Sequence, residues 1–212
     1  MHAHAALLAA VTDAADPAIV LPVNLLLAAW IAATGWTRGA IAWICVIGTV
    51  LSAVGALKIF VASCSGLMRP FGLYSPSGHT VAAALLAGGV VILVQARRER
   101  RSLNATYAAA AAALIIGLTR VALAAHTSSD VAVAAPIGIG GVWLLSRLMG
   151  VPSRDFSFLG GGVILTLAFL LLYGTHTSIE PLLKMVSAGV NCPLESSPSG
   201  APKLGNSMAS RI

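Results

Sequence analysis

Long apolar stretches recur along the chain, and each is closed by a short polar interruption. The first runs from about Ala18 to Thr34, the second from about Gly39 to Cys64 and the third from about Pro76 to Gln95. The fourth covers about Ala105 to Ala125, the fifth about Ser129 to Leu148 and the sixth about Leu159 to Thr175. Crossing about 30 Å of hydrocarbon takes about 20 apolar residues, and a crossing segment must satisfy its own backbone hydrogen bonds. The pattern therefore predicts an all-α, polytopic bundle of six transmembrane helices over residues 18–186. Residues 1–17 read as a short outer segment. From about Ser187 the composition turns to Ser, Pro and Gly, so 187–212 read as a flexible outer tail.

Composition agrees with a membrane protein: 58% of residues are hydrophobic and 9% charged, against about 25% charged in soluble domains. The N-terminus MHAHAALLAAVTDAADP has no basic region, so no cleaved signal peptide is expected. The formal charge of +6 does not point to nucleic acid, because Arg97, Arg98, Arg100 and Arg101 crowd beside one span. Such clusters mark the cytoplasmic side. Arg38, that cluster, and Arg147 with Arg154 fall on the same side of a six-span serpentine, so both termini and the other loops face outward. In a bacterial inner membrane that outer side is the periplasm. Three cysteines make no disulfide framework. Cys64 and Cys192 share the outer side, where a bridge between them could pin the tail beside the site, although two unpaired cysteines are the favoured reading; Cys45 reads as packing within the second span.

Two polar islands interrupt this pattern, SPSGHT at 75–80 and TRVALAAHTSSD at 119–130. In the first, Ser75 reads as an N-cap with Pro76 at the first helical position. The free N–H groups of such a helix start favour an anion. Gly78 lets a ligand approach the backbone, and His79 follows on the first turn. An ordinary capped helix with an interfacial His would give the same stretch. A second Pro-Ser-Gly, at 198–200, has Ala201 in place of the His and reads as low-complexity sequence. In the second island, Arg120 near a span end costs roughly 2.5–3.5 kcal/mol at a helix centre and less at the interface. His126 and Asp130 share a helix face if a helix begins near Thr127. A carboxylate one turn away can fix an imidazole tautomer and stabilise its cation. Asp130 reads as the only acidic residue close to either island. His79, His126 and Asp130 could instead be zinc ligands, but Arg120, Lys58 and Arg69 would crowd positive charge around a cation. An anion fits better, and no metal or cofactor is expected.

Pro76-Ser77-Gly78-His79, followed by Arg120, His126 and Asp130 at their spacing, resembles the type-2 phosphatidic acid phosphatase family, which shares its core with vanadium haloperoxidases. Thr119 stands where that family usually has Ser. The first family motif, Lys, six residues, then Arg-Pro, is met only in part: Arg69-Pro70 is present, but the Lys position falls on Ala62. Lys58 is the nearest lysine. In one straight helix it would lie roughly 16 Å from Arg69, so both reach one phosphate only if the chain breaks, and SCSG at 63–66 offers a break. His2, His4 and His176 read as surface residues.

The resemblance implies a lipid phosphate or diphosphate phosphatase. His126 would attack phosphorus to form a phosphohistidine, with Asp130 orienting its ring. His79 would serve as general acid and then base. Lys58, Arg120, Arg69 and the N–H groups around Ser77 and Gly78 would hold the oxygens. Polyprenyl (undecaprenyl) diphosphate leads as substrate, with phosphatidylglycerol phosphate and phosphatidic acid next. The implied partners are that lipid phosphate and the surrounding membrane lipids, not nucleic acid. A lipid phosphotransferase, or a non-enzymatic anion-binding transporter or scaffold, would use the same residues differently.

Overall fold

The computed structural model describes residues 8, 10–13, 15–172, 180–190, 192 and 194. Among them no strand occurs, and every regular element is helical. The long elements are α1 (Pro17–Ala33), α2 (Thr37–Ser63), α4 (Gly78–Val94), α5 (Arg101–Ala122), α6 (Ser128–Leu148) and α7 (Phe158–Leu172). A one-turn α3 (Ser65–Met68) follows α2, and α8 (Glu180–Ala188) follows α7. The apolar stretches thus become helices with ends moved by a few residues. Helices α2, α5 and α6 are long and apolar enough to cross a membrane, while α1, α4 and α7 are shorter apolar helices. His2, His4, His176 and the Pro-Ser-Gly copy at 198–200 lie outside the described residues.

The centre of the bundle is α4, α5 and α6, packed on one another, with α2 against α6, α1 against α2 and α7, and α8 against α2. Small residues set this approach. A Cβ added to Gly88 would stand 2.4 Å from Val142, and one on Gly117 would stand 2.4 Å from Val131. Apolar lipid gives helices little hydrophobic reason to associate, so close backbone packing of this kind carries much of the cohesion. The buried Asn24 is satisfied: it accepts from Trp43 Nε1 at 3.1 Å and donates to Val20 O at 2.7 Å.

Arginines gather at one end. Arg38 donates to Leu148 O, Arg97 to Ser153 O and Arg154 O, and Arg101 to Ala96 O and Gly150 O. These bonds satisfy carbonyls left open at helix ends and in turns. The three basic loops of the sequence therefore form one cap, and both polar islands lie at the other end of the helices they join.

Two expectations about cysteine are corrected. Cys45 is free but exposed on the outer face of α2 rather than packed inside. Cys64 and Cys192 are not unpaired; they form a disulfide across a sequence separation of 128, with Cα atoms 4.8 Å apart. Sequence distance hid this pairing. Helix α8 lies along α2, where Ser63 Oγ donates to Ser187 O at 3.3 Å, and so brings the two ends together.

The tight centre makes a prediction. A Cβ on Gly138 would lie 2.9 Å from Ala84 Cβ and 3.2 Å from the Val81 backbone, whereas Gly140 faces open space. Gly138→Ala should lower stability in detergent by about 1–3 kcal/mol through overpacking, and Gly140→Ala should leave it unchanged or raise it slightly. Equal melting temperatures for the two variants would contradict the packing described.

Candidate active site

Each island is shaped by its own loop. Helix α2 stops at Ser63, α3 and a 3-10 turn (Arg69–Phe71) follow, and Gly72 turns the chain at φ 68°. Helix α4 then starts at Gly78 with Ser77 as its N-cap, whose Oγ accepts from Thr80 N at 3.4 Å and Thr80 Oγ1 at 2.9 Å. This moves the cap from the expected Ser75 to Ser77, while the N–H groups of Tyr74 and Ser75 go to Asp130. Helix α5 ends in a turn in which Ala124 N donates to Val121 O and Ala125 N to Arg120 O. That is a Schellman arrangement with Ala124 in the left-handed region at φ 53°, and it delivers His126 into the loop before α6.

Asp130 fastens the two islands to each other. Its Oδ1 accepts from Tyr74 N at 2.9 Å and Ser75 N at 2.8 Å, and its Oδ2 accepts from Thr127 N at 3.0 Å. Its carbonyl accepts from Ser77 N at 3.3 Å. Thr127 Oγ1 accepts from Asp130 N, closing a capping box, and donates to Gly72 O at 2.7 Å. The Asp130 carboxylate stands 3.7 Å from His126 Nδ1. That separation permits charge attraction but is longer than a hydrogen bond, so main-chain amides rather than the imidazole take its lone pairs.

His79 and His126 share one electrostatic neighbourhood. The charges of Arg120, Asp16, His126 and Lys58 all act on the His79 ring, and those of Arg120, Lys58 and Asp130 act on His126. Lys58 is buried on α2, and a Cβ on Gly78 would stand 3.8 Å from its Cε. The break after Ser63 thus leaves Lys58 beside the start of α4, one turn from the family position. Ser77 is fully buried and its N–H is taken by Asp130 O, while the N–H groups of Gly78 and His79 open the helix and have no protein partner among the described residues. Arg69 differs from the other cations. It is exposed on the 3-10 turn and is not among the charges acting on either imidazole.

Sequence reasoning overlooked Asp16, whose Oδ2 lies 3.8 Å from His79 Nε2. Asp130 is therefore not the only acidic residue beside the islands. Asp16 precedes Pro17 at the start of α1, and its carbonyl accepts from Ile19 N and Val20 N. Asp before Pro at a helix start reads as an ordinary N-cap, which masked it. Neighbouring Ala15 packs with Ala83 and Ile116, holding the segment against α4 and α5. Among the described residues no three His, Cys, Asp or Glu side chains form a set that could hold a metal ion.

His126 lies outside the helices, and its imidazole is held below the usual pKa range. Burial is the largest cause, and the charges of Arg120 and Lys58 act in the same direction. Asp130 and hydrogen bonding with the Ser75 backbone oppose them. The ring is thus neutral near pH 7, the state a nucleophile requires.

Residues 58–153 match the family model of the PAP2 superfamily. No curated protein and no solved structure matches the chain. The matched segment holds both islands, with Lys58 at its first residue, and is similar to that superfamily, whose members are generally phosphatases. That likeness, with three helices long and apolar enough to cross a membrane, supports a membrane protein of phosphatase type.

The electrostatics of His126 can be tested without assuming a role for it. Carbethoxylation by diethyl pyrocarbonate, followed by peptide mass spectrometry, should show His126 reacting with a midpoint below pH 6.5. Lys58→Met removes one cation that disfavours the imidazolium, so the midpoint should rise. A midpoint that falls or stays fixed would contradict the placement of Lys58.

Proposed function

We propose that this protein is a membrane-embedded lipid phosphate or diphosphate phosphatase working through a phosphohistidine at His126. The observation that carries the reading is the meeting of two imidazoles, one on the first turn of α4 and one in the loop before α6, in the field of the same two cations, Lys58 and Arg120. A neutral imidazole, a second imidazole and fixed positive charge are the inventory of covalent phosphoryl transfer.

In the first step His126 attacks phosphorus and a P–N bond forms. The P–O bond to the leaving oxygen breaks, and a proton from His79 goes to that oxygen. In the second step His79 takes a proton from water, the water oxygen bonds to phosphorus and the P–N bond breaks, releasing phosphate. Lys58, Arg120 and the N–H groups of Gly78 and His79 hold the equatorial oxygens, where transition-state charge accumulates. Ser77 shapes the turn through its side chain. Arg69 meets the substrate from the exposed rim. Asp130 positions His126 by fixing the loop that carries it and by its charge 3.7 Å away.

In this reading all six apolar helices cross the bilayer, the basic cap faces the cytoplasm, and the site opens at the outer face of a bacterial inner membrane. Residues 18–186 form the membrane domain, with 1–17 and 187–212 outside it. The Cys64–Cys192 disulfide lies at the site's end of the bundle, as an oxidising periplasm permits. Phe71 and Tyr74, 74% and 54% exposed, stand on the loop next to the site, where aromatic side chains suit a lipid–water boundary. A lipid can keep its chains in the bilayer while its headgroup enters. Polyprenyl diphosphate is the leading substrate and a phospholipid phosphate the next.

Purified protein should release inorganic phosphate from a panel of lipid mono- and diphosphates. His126→Ala should lower that release by roughly a thousandfold or more. Undiminished turnover in the variant would rule the mechanism out, and phosphate retained in a second lipid would make the enzyme a transferase.

A further inference from the structure

The segment that precedes the family-matched region reaches into the site. Asp16, at the start of α1, places its carboxylate 3.8 Å from His79 Nε2, with the two side chains 15% and 20% exposed. Residues around it are fixed: Ala15 is buried against Ala83 and Ile116, and Thr12 is 2% exposed. Asp16 therefore does not hang over the site from a loose end. Four groups act electrostatically on the His79 ring from two helices, a loop and this segment: Arg120 on α5, Asp16, His126 in the loop before α6, and Lys58 on α2. Asp16 is the one acid among them.

That arrangement poses a problem for the reaction. An imidazole that must donate a proton to the leaving oxygen has to carry that proton first. Lys58 and Arg120, the cations needed to hold phosphate, also repel a positively charged ring. One carboxylate within about 4–6 Å favours the charged ring.

We propose that Asp16 is the positioning carboxylate of His79, favouring the proton-carrying form of that ring in the leaving-group step. The site then holds two carboxylate–imidazole pairs, one from each end of the chain's polar layout, Asp130 with His126 and Asp16 with His79. The inference rests on the phosphatase reading above and adds a residue outside the matched 58–153 segment. Asp16 touches neither phosphorus nor the attacking atom. Its effect is confined to proton transfer to the leaving oxygen in the first step and from water in the second.

An ordinary N-cap would also put Asp at this position, so the test separates charge from capping. Asn and Ser cap helices about as well as Asp but lack the negative charge. Asp16→Asn, with Asp16→Ser as a second variant in case the first does not purify as a folded species, is assayed on two classes of substrate. A long-chain alkyl phosphate has a poor leaving oxygen and needs the proton; 4-nitrophenyl phosphate has a good one and does not. The expected result is a fall in kcat of roughly 10- to 100-fold on the alkyl phosphate, and about threefold or less on the aryl ester. The alkaline limb of the pH profile on the alkyl substrate should move to lower pH by about one unit or more. KM should not rise, since the lost charge only repelled phosphate, and Asp16→Glu should restore much of the activity. Equal losses on both substrates with an unmoved pH profile would reduce Asp16 to a cap and overturn the inference, as would unchanged activity. His126→Ala is run in parallel: if it is as active as the parent, the phosphatase reading fails and this inference with it. If it is inactive while Asp16→Asn behaves as the parent, only the role of Asp16 fails.

Discussion

The carboxylate of Asp130 accepts main-chain hydrogen bonds from both sides of the site, from Tyr74 and Ser75 on one loop and from Thr127 on the other. The two loops are 55 residues apart at their closest bond to it, so no local preference brings them together. A carboxylate 1% exposed is costly unless its lone pairs are filled, and here backbone amides fill them. Hydrogen bonds to a charged acceptor are worth about 1.5–3 kcal/mol each. That tie fixes where α4 begins and where the chain enters α6. His79 and His126, one on each side, are placed as a result.

Around this tie, charge is arranged by end. The arginine cap binds carbonyls at the far end of the bundle, while the site's end holds Lys58 and Arg120 next to the two imidazoles. Close glycine packing of α4, α5 and α6 keeps the helices that carry Gly78, Arg120 and Asp130 at fixed spacing. A phosphoryl group needs donors held in place before charge develops on it, and a bundle packed through backbones supplies that rigidity.

Much of this was legible from the residues. Helical periodicity was not needed: length and apolarity alone marked the helices, because lipid leaves the chain few alternatives. The islands were legible because polar groups at a membrane boundary need a reason. What escaped were features decided by tertiary contact. Ser77, not Ser75, caps α4, and the Ser75 amide goes to Asp130. The Cys64–Cys192 bridge depends on α8 lying along α2. Asp16 looked like the cap of a first helix, and only the packing of Ala15 against Ala83 and Ile116 brings it to His79. Arg69 adjoins Pro70 as the family motif asks; it is exposed on its turn and is not among the charges that act on the rings.

The central claim, that one phosphoryl group passes through His126 beside His79, is most directly tested by trapping. Protein mixed briefly with a phosphate-labelled lipid substrate and quenched in alkali should carry one acid-labile, base-stable phosphate, located on His126 by mass spectrometry. The label should persist longer in His79→Ala supplied with an aryl phosphate, whose leaving group needs no proton, because water activation is lost. Full turnover with no labelled protein at any quench time, or a label fixed to another residue, would contradict the account.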